Sequence, residues 1–467
     1  MIKTDKSNIS KLAIVLLLII CAWYGKNLDT WGKNKIIQND VISYYAYLPA
    51  TFIFNDLTFE FTKSLPEDFE GTIWLQTAPN GKPILRMTMG MAILWIPFFL
   101  VAHAAAHILD ISTLGYSWPY SLSIFVATLF YLFLGLFFLR KILLRYFPDV
   151  TTTVTLILVV LATNLMFYVI AEPGMTHAYN FGLITTFIYF SLKWVEVLAL
   201  SPLEVPIAIG RERLKYSILL GQLAGLIVLI RPVNILVLLF PAFIGITSFS
   251  SFWERIQKNW KLILIAGVAA FLVLVPQFIY WKVQTGHFLF NSYMDQGKFY
   301  FLRPQIINGL FSYRKGWLIY TPVMIFALLG LIWMKKRAAN LFLPILVFIT
   351  INIYVVYSWW CWWYGGCYGS RPMIDIYGIM AIPLAAFIEK IWKSKAVVKG
   401  IVGIILLGFI WLNQFQTSQY RTSLLHWDSM TEESYWGIFG KKTWPEGYDK
   451  MIQVPDYEKA LKGEKEY

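Results

Sequence analysis

The stretch Gln38-Asn39-Asp40-Val41-Ile42-Ser43-Tyr44-Tyr45 follows the first apolar run of the chain and sets one carboxylate among aromatic side chains. Two uses are open to Asp40. It is a favoured N-cap for a helix beginning near Val41, and it could equally take the proton of a substrate hydroxyl as a general base. Further along, Lys82, Arg86, Glu172, His177, Arg231 and Arg371 stand at or near the ends of apolar runs, with His103, His107, Asn234, Arg303 and Arg314 in similar places. One Arg or Lys there can be explained by snorkelling to a membrane interface. Several on one face point to anion binding, because ionisable groups at membrane depth are costly and are kept for a purpose.

The elements that must position these groups are apolar helices. Of 467 residues, 58% are hydrophobic, 18% aromatic and 14% charged, more apolar surface than one water-soluble core needs. The expected fold class is an all-α polytopic membrane protein. Runs long enough to cross, or nearly so, fall at 12–25, 118–139, 152–171, 179–199, 216–230, 233–249, 262–283, 318–334, 341–359, 374–391 and 398–413, eleven in all. The net charge of +13 sits in short basic clusters between runs, which excludes a nucleic-acid reading and follows the positive-inside bias.

That bias also decides the status of a twelfth run, 87–109, which contains Pro97 and two histidines. With the N-terminus inside and 87–109 not crossing, every inside loop is basic, including Arg140, Lys141 and Arg145 and later Lys335, Lys336 and Arg337. If it crossed, all later clusters would move to the outer face. The run is therefore expected to be an interfacial or re-entrant helix. This places the loop 26–117, the turn 172–178, the loop 284–317, the aromatic turn 359–373 and a polar C-terminal cap from 414 on the outer side. The charged start, Lys3 to Lys11, precedes a run with no cleavage site of the A-x-A kind, so it is read as a span and not as a signal peptide.

No G-x-x-x-x-G-K-[ST] segment is present, and the inside loops are too short for a nucleotide-binding domain. The chemistry is expected outside and without ATP. Nucleotide sugars are absent there, so a glycan-building enzyme must draw on a lipid phosphate, whose leaving charge needs Arg, Lys or a metal. One carboxylate and one phosphate clamp suffice for a single-displacement glycosyl transfer. His103 and His107 share a helix face, but two ligands without an intervening Glu make a zinc site improbable.

The segment Trp359-Trp360-Cys361-Trp362-Trp363-Tyr364-Gly365-Gly366-Cys367-Tyr368-Gly369-Ser370-Arg371-Pro372 has a simpler reading for its first two indoles, as an interfacial belt. Its three glycines do not fit a belt. They would let backbone N–H groups approach an anion beside Arg371, with the aromatics as surfaces for a sugar or an isoprenoid chain. Cys361 and Cys367 lie in this outer, oxidising loop and could pair.

In their order and common side, these features resemble the GT-C class of membrane glycosyltransferases, which includes protein O-mannosyltransferases and lipid A aminoarabinose transferases. The features are Asn39-Asp40 with Tyr44-Tyr45, Gly81-Lys82-Pro83 leading into Met89 to Phe99, Glu172-Pro173-Gly174-Met175-Thr176-His177, Gly225 to Arg231-Pro232, and the aromatic turn. The resemblance covers about residues 1–413, leaving 414–467 as a separate outer cap. It implies that Asp40 is the catalytic carboxylate of the first outer loop and that Glu172 is the acidic residue assisting acceptor or metal binding. The family often has a second acidic residue beside the first, where this chain has Asn39.

The expected activity is transfer of a sugar from a polyprenyl-phosphate donor to a lipid, glycan or protein acceptor at the outer face of a bacterial inner membrane. The N-terminus is then cytoplasmic and the C-terminus periplasmic. Arg86, Arg231 and Arg371 are the phosphate partners. Tyr44, Tyr45, Lys82, His177 and Tyr364 are further substrate contacts, and no metal ligands are assigned, although a divalent metal remains open as cofactor. The alternatives are a multispan transporter or lipid flippase and a non-catalytic envelope scaffold.

Overall fold

The computed structural model describes residues 8–32, 35–67, 69–199 and 207–464. Lys3 and Lys6 of the charged start lie outside them. Within them the chain is helical, apart from one antiparallel pair of two-residue strands, Gln76–Thr77 with Pro83–Ile84.

Eight helices are long and apolar enough to cross a membrane: Ile9–Leu28, Gly90–Ile108, Trp118–Leu143, Thr176–Leu198, Gly210–Ile230, Phe249–Thr285, Ala339–Val356 and Ala396–Arg421. Three shorter apolar pieces, Asp149–Leu161, Pro232–Phe243 and Val323–Met334, lie between them. Several runs that are continuous in hydropathy are broken in the backbone. The run 152–171 stops at Leu161 and restarts as Leu165–Ile170, and Asn164 in the break donates to the Tyr368 carbonyl at 3.0 Å. The run 233–249 becomes a 3-10 turn and one short helix, Leu239–Phe243. The final apolar helix continues to Arg421, so the cap begins about eight residues later than expected.

Close packing fixes the relative directions of the helices. Gly221 and Gly225, one helical turn apart, leave no room for a Cβ against the carbonyls of Ala266 and Ala270. Small residues at this spacing let two backbones approach closely, and here they set helices 210–230 and 249–285 parallel. Trp194 Nε1 donates to Ser217 Oγ at 2.8 Å and Arg213 to the Val197 carbonyl at 3.3 Å, so helix 176–198 runs opposite to that pair. Helices 118–143 and 176–198 run side by side in one direction, with Thr128 Oγ1 2.7 Å from Tyr179 OH and Arg145 paired with Glu196 further along.

Helix 90–108 is tied at both ends to one end of this bundle. Beside its start, Thr88 donates to the Leu229 carbonyl and Met89 N to Gln277 Oε1 at 2.8 Å. Near its finish, His103 Nδ1 is 2.6 Å from Tyr120 OH, two residues into helix 118–143. His103 and His107 meet edge to face at 4.7 Å. The opposite end of the bundle holds Asp149 with Ser10, Arg140 Nε on Ser10 Oγ at 2.6 Å, and Glu389 between Arg337 and Lys393.

Candidate functional site

At the end of the bundle that holds helix 90–108, a cleft of about 930 Å³ opens between the first loop, the aromatic turn and the C-terminal cap. Asp40 enters it from the first turn of the short helix Asp40–Tyr45. Asn39 precedes this helix at φ 51°, a positive value that Asn tolerates better than most residues. The cap reading of Asp40 does not hold: Asn39 is the N-cap and makes no side-chain cap bond, and Asp40 is already helical. Its carboxylate turns outward, and Oδ2 accepts from Arg371 Nη1 at 3.2 Å. Oδ1 has no protein partner among the described residues.

Arg371 begins the 3-10 turn Arg371–Ile376 that follows the aromatic segment. Burial alone would lower its guanidinium; the Asp40 carboxylate, with smaller contributions from Cys367, Tyr168 and Glu172, outweighs this and holds it above the ordinary arginine range. Glu172, in the turn between helices Leu165–Ile170 and Thr176–Leu198, lines the same cleft, and its carboxylate makes no hydrogen bond or ion pair among the described residues. Burial raises it to about 7, Arg371 opposes the rise, and Asp40 adds to it. Arg86 and Tyr364 also face the cleft.

The other expected contacts lie elsewhere. Tyr44 is buried behind the wall, and burial pushes its phenol well above the ordinary range. Tyr45 is fully buried and donates to the Gly115 carbonyl, so it serves packing. Lys82 is exposed and reaches the Val283 carbonyl at 3.1 Å. His177 and Arg231 stand beneath the cleft in a buried network, with the Arg231 guanidinium 5.9 Å from the Tyr364 ring centre. Of the remaining groups expected on the outer side, Arg314 is buried and donates to the Asp428 carbonyl at 2.6 Å, whereas Arg303 is exposed.

The network centres on a carboxylate that the sequence reading passed over. Asp375 accepts from His177 Nδ1 at 2.9 Å, Asn180 at 3.0 Å, Asn234 at 2.9 Å and Arg231 at 3.3 Å. The available signal was an acidic residue at the head of the apolar run 374–391, where an ionisable group needs partners.

Two further findings concern the aromatic turn. Cys361 and Cys367 are both free and buried, and the Cys367 thiol donates to the carbonyls of Trp363 and Gly369 at 3.3 and 3.2 Å. Trp359 and Trp360 do not form a free belt: both indoles donate to the Gln296 carbonyl, at 3.3 and 2.7 Å, and both rings line the cleft. Trp427 and Tyr457 of the cap line it as well, which no motif had marked. Among the described residues no group of three His, Cys, Asp or Glu could hold a metal ion. Asp40 and Glu172 are the carboxylates that line the cleft, and Arg371 engages Asp40 Oδ2.

No protein-family model and no curated protein sequence matches the chain. Solved structures do. The archaeal oligosaccharyltransferase AglB from Archaeoglobus fulgidus, in complex with an inhibitory peptide and a dolichol-phosphate, aligns with a TM-score of 0.51 at 11% identity, over 99% of this chain and 60% of that one. The two share a fold, the GT-C fold. This chain spans 60% of the length of that GT-C protein. Two other structures of the Archaeoglobus fulgidus oligosaccharyltransferase align less fully. One, with Zn and sulfate, has a TM-score of 0.45 at 13% identity, over 86% of this chain and 53% of that one. The apo form has 0.47 at 12%, over 95% and 60%.

Proposed function

We propose that this chain is a glycosyltransferase moving a sugar from a polyprenyl-phosphate-linked donor to an acceptor hydroxyl at the periplasmic face of a bacterial inner membrane. The observation that carries the reading is the Asp40 carboxylate, held by Arg371 at 3.2 Å with its second oxygen free, in a cleft that also exposes Arg86. The GT-C fold supports it, as does the dolichol-phosphate bound by the archaeal neighbour. In this topology eleven segments cross, and helix 90–108 lies along the outer surface. The basic clusters at the far end of the bundle support the cytoplasmic assignment of that end.

In the proposed step the acceptor hydroxyl gives its proton to Asp40 while its oxygen forms a bond to the anomeric carbon of the donor. The bond from that carbon to the phosphate oxygen breaks, and the lipid phosphate leaves with the electron pair. Arg371 and Arg86 stabilise the charge that develops there. Glu172, pushed up to about 7 by burial and so only part ionised near neutral pH, is an acceptor contact on the same wall.

The test uses the purified chain in liposomes with a radiolabelled polyprenyl-phosphate sugar and three acceptors: lipid A, an oligosaccharide and a Ser/Thr peptide. Label should move to one of them, and Asp40→Asn should slow this by roughly 10²-fold to 10⁴-fold while the protein stays folded and inserted. Normal turnover by that variant would sink the assignment of the base. Movement of the intact donor across the bilayer, with no label transferred, would favour a lipid flippase instead.

A further inference from the structure

The cap wall of the cleft is built unlike the others. The cap contributes Trp427 and Tyr457, and the end of the last helix beside it Tyr420 and Arg421: three rings and one guanidinium, with no aliphatic side chain. Trp427 is 53% exposed, a poor state for a large apolar ring, yet it is firmly held. Its carbonyl accepts from Cys367 N at 3.3 Å, and the two residues after it donate their N–H groups to His426 Nδ1 at 3.3 and 3.0 Å. Its ring seats on Gly366, where a Cβ would stand 2.9 Å from the indole Cε3. Tyr457 is fixed through its hydroxyl, 2.8 Å from Asp428 Oδ2, and packs edge to face on Trp360 and Trp363 with ring centres 6.2 and 5.4 Å away.

Rigid rings with an open face gain from a flat apolar ligand surface and lose little entropy in binding it. The C–H face of a pyranose is such a surface, and its hydroxyls suit a guanidinium at the rim. A peptide side chain would instead be expected to find an aliphatic pocket, which this wall does not offer. We infer that Trp427 and Tyr457, with Arg421 at the rim, form a carbohydrate subsite on which a sugar ring of a glycan acceptor stacks. The inference rests on the glycosyl-transfer reading for the word acceptor, while the binding itself does not depend on catalysis.

Saturation-transfer NMR on the full chain in detergent tests it, with maltotriose, chitotriose and an Ala-Ser-Ala tripeptide as probes. At least one trisaccharide should be saturated at its ring C–H protons by the wild type and by Asp40→Asn. Trp427→Ala should weaken its Kd by about tenfold, the scale of one aromatic stacking contact, and Trp427→Phe should restore most of it. Should Trp427→Ala fail to fold, Arg421→Ala, an exposed position, replaces it with a smaller expected loss. Saturation of neither trisaccharide, equal binding by wild type and variant, or saturation of the tripeptide alone would overturn the subsite. Absence of transfer with persistent trisaccharide binding would sink the glycosyltransferase reading and leave the subsite. Transfer with no effect of Trp427 on binding would do the reverse.

Discussion

Arg371 Nη1 lies 3.2 Å from Asp40 Oδ2, so the carboxylate of the first loop is answered by a cation 331 residues later in the chain. The pair is partly open to solvent, with side-chain exposures of 16% and 33%, which suits a group that binds and not one that only braces the fold. One guanidinium can thus orient the proposed base and meet the phosphate that leaves.

For Arg371 this predicts a loss beyond what charge explains. Lysine keeps the charge but cannot reproduce the planar fork. Arg371→Lys should lower kcat for transfer by roughly 10²-fold and Arg371→Ala by roughly 10³-fold, the range seen when a transition-state donor is removed. Steady-state rates with the lipid-linked donor measure it. A lysine variant at full rate would show that the fork is not used.

Glu172 gives a pH dependence with a defined sign. Its ordinary value is 4.5, and burial raises it to about 7 in the folded chain. Between those values the folded state keeps a proton that the unfolded chain releases, so this residue's contribution to stability falls as pH rises from about 4.5 to 7 and is level above that. Glu172→Gln removes the dependence. The variant should therefore gain in Tm over the wild type as pH climbs through this window, read by thermal unfolding in detergent. A difference that stays constant with pH would contradict the shift.

Asp375 should matter for the fold beneath the cleft. Asp375→Ala leaves Arg231 as a buried cation without its counter-charge, a change worth about 3–5 kcal/mol of stability. Asp375→Asn keeps an acceptor for the surrounding donors and should cost less. Denaturant titrations of the two variants should fall in that order, and equal stability would mean that Arg231 finds another partner.

The basic clusters carried the most structural information in the sequence. They put Asp40, Arg86, Glu172, Tyr364 and Arg371 on one face, and these five line one cleft. Hydropathy could not show where a run breaks, because Asn164 interrupts an apolar stretch without changing its average. Asp375 was hidden for a related reason: at the edge of a long apolar run it counts as a boundary residue until its four partners are seen. Tyr45 and Lys82 were expected at the site as members of the motifs Asn39-Asp40 with Tyr44-Tyr45 and Gly81-Lys82-Pro83, and membership of a motif does not decide which way a side chain turns. The cap aromatics Trp427 and Tyr457 belong to no motif, and only their meeting with Gly366 and Trp360 gives them a role.

The parts of the cleft come from both ends of the chain, with Asp40 near the start and Tyr457 near the finish. During synthesis the carboxylate is inserted first and waits, without its arginine and without its far wall, until Arg371 and then Tyr457 have left the ribosome. A nascent chain that stops short of Tyr457 therefore has no assembled pocket in which to meet the proposed donor.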